Sequence, residues 1–117
     1  MFASVRTYRF SPVYIQEINE KLQDMFIPIL EQMEGFISYN WITTPDGQGV
    51  GVCVFKDEEG LRESIHLAAE FRRNNFAHIG MTTPDIIIGQ VGAHGEVEPQ
   101  TIPPETLKSD DHPLASH

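Results

Sequence analysis

The 117-residue chain is 40% hydrophobic, 21% charged and 9% aromatic, the make-up of an ordinary globular protein with enough apolar material for one core. Its formal charge of −9 has the wrong sign for tracking nucleic-acid phosphates, and no apolar run reaches the ~20 residues of a membrane span. Cys53 is the only cysteine, which excludes an internal disulfide and a cysteine-based zinc cluster; with an N-terminal stretch too interrupted for a signal peptide, the expected location is the cytoplasm.

Residues 3–10 are rich in β-branched and aromatic types and predict a strand, with Ser4, Arg6, Tyr8 and Phe10 on one face and Ala3, Val5, Thr7 and Arg9 on the other. Ser11-Pro12 offers a capping hydroxyl followed by a proline suited to a first helical turn, so a helix is expected to start there. Its apolar positions, Ile18, Leu22, Met25, Phe26, Ile29, Leu30 and Met33, follow three-and-four spacing, and Gly35 supplies the stop. Pro28 falls inside this pattern, which predicts a kink or two shorter helices. Residues 36–43 and 50–56 read as strands, and the Pro45-Asp46-Gly47-Gln48-Gly49 turn between them favours an antiparallel hairpin. A second helix is expected from about residue 58 to 75, with Asp57, Glu58 and Glu59 at its positive end and Leu61, Ile65, Ala68 and Phe76 facing inward. Residues 85–91 form the last strand. Residues 1–94 thus make one domain, while 95–117, with its prolines and acidic groups, reads as a tail that is extended or disordered when alone. Ile102 and Leu107 are its possible anchors on a partner subunit.

The order strand, helix, strand, strand, helix, strand predicts an α+β, ferredoxin-like βαββαβ sandwich: a four-stranded antiparallel sheet with both helices on one face. Val50, Val52 and Val54 alternate with Gly51, Cys53 and Phe55, and the last strand is aliphatic on both sides, so neither sheet face suits water. Helices cover only one of them. A homodimer packed through the open sheet face is therefore expected.

The first strand with Ser11-Pro12 after it, Met33-Glu34-Gly35-Phe36, Val54-Phe55-Lys56-Asp57 and Pro84-Asp85-Ile86 together resemble the antibiotic biosynthesis monooxygenase superfamily over residues 3–93. The resemblance implies a dimeric α/β barrel with a cleft between sheet and helices in each subunit. It also implies cofactor-independent oxidation of an aromatic or polyketide-like small molecule. The alternatives are a non-catalytic dimeric module that binds a small ligand, or a haem-binding or haem-degrading protein. Polyketide-type members carry an Asn and a Trp at positions that are Gly51 and Phe55 here. Haem-degrading members have functional residues at positions that are Arg6, Ser64 and Asn74 here, with His78 one turn further on.

Oxygenation without a cofactor needs donors that hold a phenolate while it gives an electron to dioxygen. Arg6 and Tyr8 share a strand face and are the candidate donors, His66 is a candidate base, and no catalytic residue is fixed beyond these three. Gly51 and Cys53 are small and would leave room beside Arg6 and Tyr8, and Phe55 would form an apolar wall, which completes the expected ligand-binding set. A structural role for Arg6, paired to Glu63 or Glu70, is the competing reading. Trp41 and Tyr39 either line the ligand site or fill the dimer core, the core being favoured. Glu63, His66 and Glu70 lie at helical spacing, but such a row is more often a solvated face than a metal site, so no metal is assigned. Arg72-Arg73 reads as a solvated basic pair, with an anionic substrate group as the alternative. His94, His112 and His117 are scattered in polar sequence.

Overall fold

The computed structural model of the chain describes residues 1–97; the expectations for the remaining tail, including Ile102, Leu107, His112 and His117, lie outside the described residues. Four strands, β1 (Phe2–Arg9), β2 (Phe36–Thr43), β3 (Gln48–Phe55) and β4 (Asp85–Gln90), form one sheet in the order β2-β3-β1-β4 with every pair antiparallel. The helices lie on one face, giving the expected ferredoxin-like α+β fold. No helix among the described residues is long and apolar enough to cross a membrane.

Side-chain alternation on β1 is as expected: Ser4, Arg6 and Tyr8 are buried under the helices. The register sets Arg6 opposite Gly51 on one side and Ile86 on the other, in the middle of the sheet. On the far side Val5 pairs with both Val52 and Ile87, and Val50 with Ile42, so one apolar surface runs across all four strands. Ile87 is 70% exposed and Ile42 55% exposed on this uncovered face.

The first helical segment departs from expectation at its start, and its expected division near Pro28 takes an unexpected form. Ser11 makes no side-chain cap; Pro12–Tyr14 forms a 3₁₀ turn, and the α-helix begins only at Ile15. It runs as α1 (Ile15–Lys21), a π turn (Leu22–Phe26) and α2 (Ile27–Glu31), the break expected at Pro28 taking the form of a wider turn just before it. The Ile27 N–H bonds to the Leu22 carbonyl, five residues back, as the π turn requires. This widening has a packing consequence. The buried residues are Ile18, Leu22, Phe26 and Leu30, a strict four-residue repeat. At 3.6 residues per turn each such step drifts by about 40°, and the slower π turn takes up the drift and keeps all four on the sheet. Met25 and Ile29, expected inside, stand 45% and 43% exposed for the same reason.

The second long helix, α3 (Glu58–Asn75), starts where expected: the Asp57 carboxylate accepts from the Gly60 N–H at 3.3 Å, and Glu58 and Glu59 follow in the first turn. Its buried stripe is Leu61, Ser64, Ala68 and Phe71, which leaves Ile65 half-buried. Between β2 and β3, the left-handed Gly47 (φ 96°) closes the hairpin, and its carbonyl accepts from the Phe10 N–H at 2.9 Å.

Candidate functional site

A narrow cavity of about 20 Å³, partly open to solvent, lies between the middle of the sheet and the helices. Its floor is Arg6 and Tyr8 of β1 with Tyr39 and Trp41 of β2. Leu22 and Phe26, the two ends of the π turn, form one wall, and Ala68, Phe71 and Arg72 of α3 form the other. Phe76 and Met81 close the end beyond α3. The rings support one another: Phe26 meets Tyr39 edge-on at 5.6 Å and Phe71 at 5.2 Å, while Tyr8 lies 5.7 Å from Trp41.

Arg6 is the anomaly in this apolar setting. It is 2% exposed, and its Nε and Nη1 are buried with no hydrogen-bond partner. No ion pair among the described residues involves it. The pairing with Glu63 or Glu70 is therefore not made: both carboxylates lie on the exposed side of α3, away from the buried stripe that faces the sheet. An unpaired guanidinium out of water costs several kcal/mol, a cost that a bound anion relieves.

Tyr39 and Trp41 sit on the helix side, not in the open face where the dimer core was expected. A bulge between Phe36 and Ser38 shifts the alternation along β2, and Tyr39 and Trp41 pair with Cys53 and Gly51. The glycines of β3 make room for these rings. A Cβ on Gly49 would collide with the Trp41 ring, and one on Gly51 would stand 3.1 Å from the Tyr39 hydroxyl oxygen. The space beside Arg6 that Gly51 was expected to leave for a ligand is thus filled by the indole and phenol, which themselves become the cavity's surface. Trp41 is fixed by its Nε1–H, which donates to Asn19 Oδ1 at 3.1 Å. Burial pushes the Tyr39 phenol well above its usual range, so it stays a proton donor.

The other residues expected at the site lie elsewhere. Gly51 is under Tyr39 and Trp41 and does not reach the cavity. Cys53 is fully buried, with its Sγ 3.8 Å from Ser64 Oγ, and burial pushes its thiol pKa up, against a nucleophilic role. Phe55 belongs to the opposite end of the core, packed at 5.6 Å on Phe36 and seated where Gly60 lacks a Cβ; its strand partner Phe2 is four residues from Arg6, or about 13 Å along the strand. His66 is exposed, about 200° around α3 from Ser64 and so turned away from the sheet. Among the described residues no three His, Cys, Asp or Glu side chains gather into a metal site, and the Glu63, His66 and Glu70 row faces outward.

His78 does not enter the cavity either. Its Nε2 is 2.7 Å from Glu17 Oε2, and its ring meets Tyr14 edge-on. The cavity walls offer no imidazole, thiol or carboxylate as an iron ligand, burial disfavours a Tyr39 phenolate, and a space of about 20 Å³ is far below the ~300–1,000 Å³ of ligand pockets, let alone a porphyrin. These residues do not fit a haem.

No family model matches the chain, and no curated protein matches it in sequence. Solved structures do match. The ActVA-Orf6 monooxygenase of Streptomyces coelicolor, in complex with Nanaomycin D, is 19% identical with a TM-score of 0.64, over 85% of this chain and 92% of that one. This is the fold of the antibiotic biosynthesis monooxygenases. SnoaB of Streptomyces nogalater, a cofactor-independent oxygenase, matches at 10% identity and TM-score 0.58 over 80% of this chain and 94% of its own. The haem-degrader MhuD of Mycobacterium tuberculosis matches at 10% identity and TM-score 0.62 over 82% and 100%.

Proposed function

We propose that the chain binds a phenolic or enolisable aromatic small molecule as its anion, at Arg6, and oxidises it with dioxygen without a cofactor. The observation that carries this reading is the buried, unpaired Arg6 guanidinium in a cavity walled by aromatic rings. Arg6 lowers the ligand's pKa by stabilising its conjugate base, and the phenols of Tyr8 and Tyr39 are available to donate to the same oxygen. The delocalised anion then gives one electron to dioxygen. The substrate radical and superoxide recombine to a peroxide, which loses water and leaves a carbonyl: one CH2 and one O2 become one C=O and one H2O. ActVA-Orf6 and SnoaB, which share the fold, support an oxygenase reading.

The walls contain donors but no base, which favours a second reading, a module that binds the anion without turning it over. Oxygen uptake with an anthrone, followed by mass analysis after ¹⁸O₂ labelling, separates the two. Incorporation of one labelled oxygen that is lost in Arg6→Met supports catalysis. Tight binding with no uptake leaves only the binding module, and neither binding nor uptake refutes both.

We also propose that two chains pack open sheet face to open sheet face. The apolar surface around Val5, Val52 and Ile87 is on the order of several hundred Å², more than soluble monomers usually leave bare. Sedimentation equilibrium at micromolar concentration should give twice the 13.2 kDa chain mass, and Val52→Glu should halve it. A wild-type monomer would refute the pairing.

A further inference from the structure

Resting on the reading that Arg6 holds an aromatic anion, the geometry points to a ligand with two acidic groups: the phenol or enol at Arg6, and a carboxylate at the rim held by Arg72. The cavity shares walls with two surface grooves of different character. On one side it shares Leu22, Tyr39 and Trp41 with a groove whose other members are uncharged, Asn19, Gln23 and Thr43 among them. On the other it shares Arg72, Phe76 and Met81 with a groove that also holds Arg73. Neither the cavity nor this second groove has an acidic lining residue, although acidic side chains outnumber basic ones 17 to 8 in the chain. The route from solvent to Arg6 past Arg72 is thus a positive path in a negative protein, which concentrates anions and repels nothing acidic.

Basic residues in a last helical turn also serve the helix dipole, and Arg73 needs no further explanation. Arg72 is different. It is half-buried, and its Nη1–H donates to the Thr82 carbonyl at 3.0 Å, which holds the guanidinium across the rim toward the segment leading into β4. No carboxylate among the described residues pairs with it. A guanidinium held in place with donors to spare is suited to a planar carboxylate. Arg6 and Arg72 line the same cavity from opposite layers, one from the sheet and one from α3; a rigid aromatic that widens this narrow space, about 20 Å³, would present its acidic groups at opposite ends.

The test compares 2-naphthol with 6-hydroxy-2-naphthoate, which has the same ring and hydroxyl and a carboxylate at the far end, by titration calorimetry. The wild-type protein is expected to bind the naphthoate about tenfold more tightly, the scale of one charge-assisted contact at a partly exposed arginine. In Arg72→Gln that preference should fall to within about twofold, while Arg62→Gln, which removes the same charge from an exposed pair with Glu58, should keep it. Arg6→Met should lose both ligands. Equal binding of the two compounds by the wild type, or an unchanged preference in Arg72→Gln, overturns the inference while leaving the Arg6 reading intact. Failure of the wild type to bind either compound removes the Arg6 reading, and this one with it.

Discussion

Replacing Arg6 by methionine should make the free protein more stable while abolishing ligand binding. The substitution keeps most of the aliphatic stem and removes a charge that is 2% exposed, including two buried nitrogens without partners. Each unsatisfied buried donor costs roughly 1–3 kcal/mol, so removing both gains about 2–6 kcal/mol. Against this stands the packing lost where the guanidinium was, about 1–2 kcal/mol for a partly refilled gap. The net expectation is about 0–5 kcal/mol of added stability, with the middle of that range raising the Tm on the order of 10 °C for a domain of this size. Urea denaturation gives the free-energy change directly, with both proteins at one concentration because self-association also moves the midpoint. A variant less stable than wild type by about 1 kcal/mol or more would mean that Arg6 is internally satisfied, and the case for an anion there would fail.

Three further outcomes follow from particular contacts. Ser4 Oγ is buried without a partner, so Ser4→Ala should be neutral or stabilising by up to about 1 kcal/mol in the same denaturation assay. Gly49→Ala would drive a methyl into Trp41, with the Phe10 ring 2.8 Å away, and should cost about 1–3 kcal/mol and shift the emission of Trp41, the only tryptophan. The Lys21 side chain, which hydrogen-bonds Glu17 at 2.8 Å, and then His78 hold the Glu17 carboxyl below its ordinary value of 4.5. A carboxyl with a lowered folded-state pKa adds stability above its unfolded value and loses it as the pH falls through the folded one. Glu17→Gln should therefore flatten the stability profile below about pH 4.5, visible in urea midpoints taken from pH 6 to 3.

The fold was legible because hydrophobic pattern and turn chemistry agreed along most of the chain; on β1 the alternation was weak, and strand parity gave only that Arg6 and Tyr8 share a face, not that the more polar face is the covered one. What stayed hidden depended on local shifts of phase. The bulge at Ile37 inserts one residue into β2 and moves Tyr39 and Trp41 from the face assigned to them onto the helix side. The alternating glycines at 49 and 51 were the available sign, since a glycine opposite an aromatic residue often seats its ring. The π turn was similarly written in the four-residue spacing of Ile18, Leu22, Phe26 and Leu30, which an undistorted α-helix does not keep on one side. The orientation of His66 was open in the sequence, and it turns outward because the stripe on α3 is centred on Ser64 and Ala68, not on Ile65. Arg72 joins the site only through the packing of α3 over the sheet, a relation between distant segments that no local spacing encodes.

The most direct test is the ionisation state of a bound phenol. With 2-naphthol at a pH below its solution pKa, difference absorption should show the naphtholate band growing in proportion to wild-type protein and absent with Arg6→Met. A bound naphthol that keeps the spectrum of the neutral phenol, or a naphtholate band equally strong with Arg6→Met, would contradict a site organised around the Arg6 charge.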